Sequence, residues 1–335
     1  MGIKNLTPRL AEWGKIKIGA KGEMKTSNQG RQFAQPQKLD HFIITTMERD
    51  AAGRLLPDTD LMARLKPEGG KITSIPILLL YDDPEVNFLT RYAAYAGNTL
   101  LCQGDGESAQ RLQDSKYQTV PCPCPRLEEA YAGKDICKPN GVLQCLIQGV
   151  NRIGGVWKFR TTSWNSVQSI MSSMKLFQTV TGGILAGIPL QMRVSPKTVT
   201  VRGGNQIVYI VSLEFSGTTQ QLTQVALDIT RRQAEYRVRL EHLEAEARKA
   251  LEHQAESPEE VKDIQQEFYP EGAVLDVSQE EIIPTGTQPD AEKAGGPGDV
   301  AGLPTTETDP FLAEAPETAA GKGNGNGQPQ SAELF

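Results

Sequence analysis

The chain holds five cysteines, and four of them fall between Cys122 and Cys145. Zinc takes thiolate or imidazole ligands in a tetrahedron, usually delivered by two tight turns. Here one residue separates Cys122 from Cys124, and twelve separate Cys124 from Cys137. Pro123 and Pro125 stiffen the first knuckle, and the polar stretch 125–136 supplies the connecting loop. Cys122, Cys124 and Cys137 are therefore read as ligands of a structural zinc ion. The fourth ligand is open between two cysteines. Cys102 ends an apolar run just before Gly104-Asp105-Gly106 and can approach from the side, whereas Cys145 lies within an apolar strand and also suits a small core residue. The cytoplasmic compartment expected for this chain is reducing, which favours thiolate–zinc bonds over disulfides.

Other chemistries find little support. No His-Glu-x-x-His occurs, and the single His-x-Glu, His242-Leu243-Glu244, lies on a charged helix without the following Pro-Cys-x-x-Cys of a zinc deaminase. The three histidines, His41, His242 and His253, make no constellation with a nucleophile, and no Gly-x-Ser-x-Gly is present. Gly69-Gly70-Lys71 lacks the flanking residues of a phosphate-binding loop. Asp82-Asp83 and Asp105 with Glu107 suit a turn and a helix cap better than a magnesium site. The junction Thr161-Thr162-Ser163-Trp164-Asn165-Ser166 is rich in hydroxyls and reads first as a capping cluster; its free backbone N–H groups could also take a phosphate. No enzymatic activity is expected.

Charge divides the chain. Residues 257–335 carry 16 Asp or Glu against 3 Lys or Arg, so the first 256 residues hold a net +7 within the overall −6. The N-terminal basic residues Lys15, Lys17, Lys21, Lys25 and Arg31 are candidate nucleic-acid contacts. An acidic tail would limit non-specific binding by competing with phosphates. No run of apolar residues is long enough to span a membrane, and the N-terminus lacks the apolar centre of a secretory signal.

The elements that must position these residues follow from periodicity. Strand signals occur at Lys15–Ile18, His41–Thr46, Ile72–Leu80, Thr99–Cys102, Val142–Ile147 and Val156–Thr161. Pro76 within its run suggests an edge or a bulge. Leu190–Val194, Thr198–Val201 and Gln206–Phe215 read as a meander, with turns at Pro196-Lys197 and Gly203-Gly204-Asn205. A helix is expected from Ser163 to Val180, with Val167, Ile170, Met171, Met174 and Phe177 on one face and Gly182-Gly183 as its stop. A second, long helix is expected from Thr219 to Gln254. Its apolar residues Leu222, Val225, Ile229, Tyr236, Leu240 and Leu243 approximate a heptad seam, read as a partner-binding coiled coil that also allows a homo-oligomer. The chain thus divides into a basic N-terminal arm (1–39), a core carrying the cysteines (40–216), the long helix (217–256) and a disordered acidic tail (257–335). The fold class is α+β, with a mainly antiparallel sheet, a Cys-rich zinc clip, a long C-terminal helix and that tail.

An ordered set of motifs resembles the recombination directionality factor-like family of phages and integrative elements. It comprises Gly14-Lys15-Ile16-Lys17-Ile18-Gly19, Lys38-Leu39-Asp40-His41-Phe42, Asp82-Asp83-Pro84, and Cys102 with Gly104-Asp105-Gly106. Cys122-Pro123-Cys124-Pro125, Cys137-Lys138-Pro139, Gly155-Val156-Trp157, Ser163-Trp164-Asn165-Ser166, Gly187-Ile188-Pro189-Leu190 and Leu213-Glu214-Phe215 complete it. The resemblance spans roughly residues 10–216. It implies a non-enzymatic partner of a large serine integrase that binds the integrase–DNA complex and shifts it from integration to excision. A competing reading is a single-stranded-DNA-binding protein whose acidic tail recruits partners; Trp157, Phe159 and Tyr209 would then stack bases.

Overall fold

The computed structural model describes residues 10–26, 32–67, 70–96, 99–124, 137–201, 204–236, 240–252 and 256–268. Among the described residues twelve strands form one mostly antiparallel sheet system. The strands are β1 (Ala11–Thr26), β2 (Gln32–Arg49), β3 (Leu55–Pro57), β4 (Ser74–Leu78), β5 (Phe88–Ala96) and β6 (Thr99–Gly104), then β7 (Ser108–Gln113), β8 (Lys116–Pro121), β9 (Lys138–Ile147), β10 (Gly155–Thr161), β11 (Pro189–Val201) and β12 (Gly204–Glu214). The helices are α1 (Thr59–Leu65), α2 (Pro84–Asn87), α3 (Trp164–Thr181), α4 (Thr219–Tyr236), α5 (Leu240–Glu252) and α6 (Pro258–Phe268). The main sheet runs β3-β2-β1-β10-β9-β5-β6-β7-β8, and β4 joins it to the β11–β12 ribbon by pairing with both β9 and β11. Among the described residues the β1–β10 pair is parallel. The α+β class with a mainly antiparallel sheet is as the sequence predicts.

Alternation gives the main sheet two different faces. Ile16, Ile18, Phe42, Ile44, Leu143, Cys145 and Phe159 point into the core. Helix α3 covers that face with Val167, Ile170, Met174 and Phe177, residues a helical period brings to one side. The helix ends where expected: Gly182 takes the left-handed conformation at φ 70°, which costs a glycine little. The opposite face carries Lys15 and Lys17, the residues that alternate with the buried isoleucines on β1.

Three expectations need correction. Residues 11–26 are no separate arm: β1 is an interior strand between β2 and β10. Pro196-Lys197 is no turn, because β11 runs through it with Pro196 opposite Tyr209 and Lys197 opposite Val208. Beyond Arg193, β11 has no pairing to β4, so the missing N–H of Pro196 leaves no gap on that side. The predicted long helix is seen as α4 and α5, and the intervening residues 237–239 lie outside the described residues. The acidic region is not unstructured from its start, since Pro258–Phe268 forms α6 and packs on the sheet; residues 269–335 lie outside the described residues.

Candidate partner-binding surface

Helix α6 begins with a local signal that average composition conceals. Ser257 Oγ accepts from Glu260 N at 3.2 Å, Pro258 opens the first turn, and Glu259 and Glu260 lie at its positive end. Val261, Ile264 and Phe268 then recur at helical spacing and pack against Ala93, Ala94, Tyr95 and Leu100. The adjacent stripe is anionic and meets the cations of the sheet. Asp263 binds Arg49 through two bonds of 2.9 and 2.8 Å and Lys15 Nζ at 3.0 Å. Glu260 accepts from Arg160 at 2.9 Å, and Glu267 pairs with Lys17 at 3.1 Å. Just ahead of the helix, Glu256 takes Arg91 at 2.6 Å, Arg160 at 2.9 Å and the Tyr95 hydroxyl at 2.6 Å. Lys138 Nζ donates to Phe268 O, a terminal carbonyl of α6, at 3.0 Å.

Electrostatics in this interface run in both directions. Burial raises the Asp263 and Glu260 carboxyls, but the neighbouring Arg49, Lys15, Arg160 and Lys158 outweigh it and hold both below their usual values. For Glu267, burial wins over Lys17, and its pKa lies above the usual value. Gly19 allows that burial, since a Cβ there would approach Glu267 Cγ to 2.9 Å. Lys15 and Lys17, expected to meet nucleic acid, are thus engaged by the chain's own carboxylates. Lys21 and Lys25 lie in β1 with side chains outside the described residues, and Arg31 is outside them altogether.

The cysteines divide between two environments. Cys102 pairs in register with Arg111, whose guanidinium donates to Cys124 Sγ at 3.1 Å. Cys122 lies close enough for its thiol to feel both Cys102 and Cys124, and burial pushes its pKa up. Cys137 and Cys102 border the apolar strip beneath α6. Cys145, the alternative fourth ligand, is fully buried in the core, where burial raises its thiol to about 12 and its Sγ donates to Trp157 O at 3.8 Å. Among the described residues no group of three or more His, Cys, Asp or Glu is placed to hold a metal ion. The loop 125–136 joining Cys124 to Cys137 lies outside them.

The expected partner seam is distributed between core and surface. Thr218 and Gln221 form a reciprocal cap that starts α4, with bonds of 2.8 and 3.2 Å. Leu222 is buried and Ile229 packs against the core, so α4 rests on its own domain with these residues. Val225 and Leu240 are half-buried, whereas Tyr236 and Leu243 face solvent, as does Leu227. On α5, Glu244 accepts from Asp82 N and Asp83 N at 2.5 and 3.2 Å, and Arg248 pairs with Asp83 and Glu85 beside α2. Glu244 of the His242-Leu243-Glu244 run thus ties α5 to the start of α2. The two roles are exchanged relative to the expectation: Asp83 is a helix cap, at the start of α2, and Asp105 accepts from Glu107 N and Ser108 N in the turn between β6 and β7.

At the Thr161–Ser166 junction, Ser163 is the N-cap residue of α3 but makes no side-chain cap bond. The half-exposed Trp164 stacks on Tyr92 at 6.2 Å, beside a cleft of about 510 Å³ that Asn140, Gln168 and Lys175 also line. The aromatic residues offered for base stacking point elsewhere: Trp157 and Phe159 are buried, and Tyr209 packs against the core. Among the described residues, no helix is long and apolar enough to cross a membrane.

Comparison with curated proteins and with solved structures gives no match. The family model described as Gp3-like, recombination directionality factor-like, matches residues 13–216, more than half of the chain. The matched span opens within β1, takes in the cation-bearing strands, Cys102–Cys145 and α3, and closes two residues after β12. On that match the chain belongs to the Gp3-like, recombination directionality factor-like family.

Proposed function

We propose that the chain binds a serine integrase on its DNA sites and biases the complex toward excision. Family membership over residues 13–216 carries this reading. A factor of this kind needs no chemistry of its own. It shifts an equilibrium between integrase arrangements by binding one of them more tightly. The solvent-facing apolar residues Leu227, Tyr236 and Leu243 on α4 and α5 support a protein contact, since large exposed apolar side chains on adjoining helices suit helix-to-helix docking. Leu222 and Ile229 fall outside this surface because they pack inward. The burial of Trp157 and Phe159 weighs against base stacking and hence against the single-strand-binding reading.

The test is recombination in vitro with purified cognate integrase and both classes of substrate site. Adding this protein should promote the excisive reaction and inhibit the integrative one. Tyr236→Ala with Leu243→Ala should weaken both effects while leaving the fold intact. Structural zinc held by Cys122, Cys124 and Cys137, with Cys102 as fourth ligand, belongs to the proposal. Its test is the metal content of protein purified without chelator.

A further inference from the structure

The outer face of the main sheet is a groove with two kinds of wall. One is cationic: Lys15 and Lys17 on β1, Lys158 and Arg160 on β10, and Arg91 beyond them on β5. The other is apolar, formed by Ala93, Tyr95 and Leu100. Helix α6 meets both walls at once. Its Glu260, Asp263 and Glu267 recur about once per turn against the cations, and Val261, Ile264 and Phe268 lie on the apolar wall.

Two independent observations mark α6 as an occupant that can be replaced. The first is its imperfect fit. Among the described residues five buried side-chain polar atoms lack a hydrogen-bond partner, and three of them, Glu12 Oε1, Arg91 Nε and Glu267 Oε1, belong to this interface. Each unsatisfied atom weakens the docking by its desolvation. The second is the extent of the family match, which contains the groove within residues 13–216 and ends well before the helix that fills it.

We propose that this groove is a docking site for an acidic amphipathic helix of a partner protein, and that α6 holds it in cis as a competitor. The apolar wall decides the chemistry of the ligand. A nucleic-acid backbone would satisfy the cations but leave Ala93, Tyr95 and Leu100 exposed to water. A helix with carboxylates beside an apolar stripe covers both. The surface is separate from Leu227, Tyr236 and Leu243, so it stands or falls apart from the contact proposed above. Occupation in cis reduces the apparent affinity for an incoming helix by the fraction of molecules whose groove is open.

The probe is a fluorescent synthetic peptide with the sequence of residues 256–268, titrated into the full-length protein. Reversing charge on α6 with E260K and D263K should open the groove and tighten peptide binding by about tenfold or more relative to the unmodified chain. Adding K15A and R160A to that variant, which removes the groove cations without re-forming either ion pair, should abolish binding. Equal binding to the open and unmodified chains would overturn the proposal. So would tighter binding of a DNA duplex than of the peptide by the open variant. Since charge reversal risks the fold, hydrogen exchange on the unmodified chain supplies a second readout. Amides of α6 should exchange faster than those of β9, and faster again with excess peptide. Exchange as slow as β9 and unmoved by peptide would overturn the proposal by itself.

Discussion

Within α6, Asp263 is bound by both Arg49 and Lys15, and its side chain is only 7% exposed. Asp263→Asn leaves two cations facing an uncharged amide and should cost about 2–3 kcal/mol, read from urea denaturation. The pH dependence has two opposed parts. Asp263 and Glu260 have native pKa values below 3.8 and 4.5, so their stabilisation is present above those ordinary values and is lost as pH falls through the native ones. Glu267 has a native pKa raised above 4.5, so it stabilises below that value and loses this contribution as pH rises through the native one. Glu267→Gln should therefore gain on the wild type as pH rises from 4.5. Unfolding midpoints that stay parallel across that range would contradict the buried position of Glu267. Part of this was readable in advance. Ser257-Pro258-Glu259-Glu260 followed by Val261, Ile264 and Phe268 is a helix start with an apolar stripe, but the acidic Pro- and Gly-rich stretch around it masks the signal. That Lys15 and Lys17 would meet Asp263 and Glu267 was not readable, because pairs nearly 250 positions apart depend on the finished sheet.

At the level of elements, α3 was legible in full: a Ser163 start, a 3.6-residue apolar stripe and a Gly182 stop all agree. The region after Thr218 was not. Its apolar spacing fits a seam facing a partner and a face packed on the core equally well, and only packing separates the two. Leu222→Ala should cost about 3 kcal/mol and Leu243→Ala close to nothing, because the first is buried and the second exposed. Equal losses from both would contradict the placement of α4 and α5. Among the strands, the alternation in β1 and the apolar run in β9 were plain, whereas the continuity of β11 through Pro196 was hidden by a residue that normally marks a break. The cysteine knuckle is also an element-scale question. If Cys122, Cys124 and Cys137 hold zinc, the purified protein should contain close to one equivalent by elemental analysis, and Cys122→Ser with Cys124→Ser should lose it. Protein that is free of metal as purified, and unchanged in stability on adding zinc, would contradict a zinc site there.

On the scale of the whole molecule, the chain combines a family body with a C-terminal part that folds back onto it. Helices α4 and α5 return to the core and to α2, and α6 returns to the outer sheet face. The charge asymmetry of the sequence thus has a local structural expression: part of the acidic end neutralises part of the basic body. The measurement that tests the central claim most directly is recombination by the cognate serine integrase on excisive and integrative substrates, with and without the full-length protein. Excision should become efficient and integration should fall at a protein concentration comparable to that of the integrase. Unchanged recombination on both substrates, with binding to integrase undetectable, would contradict that claim.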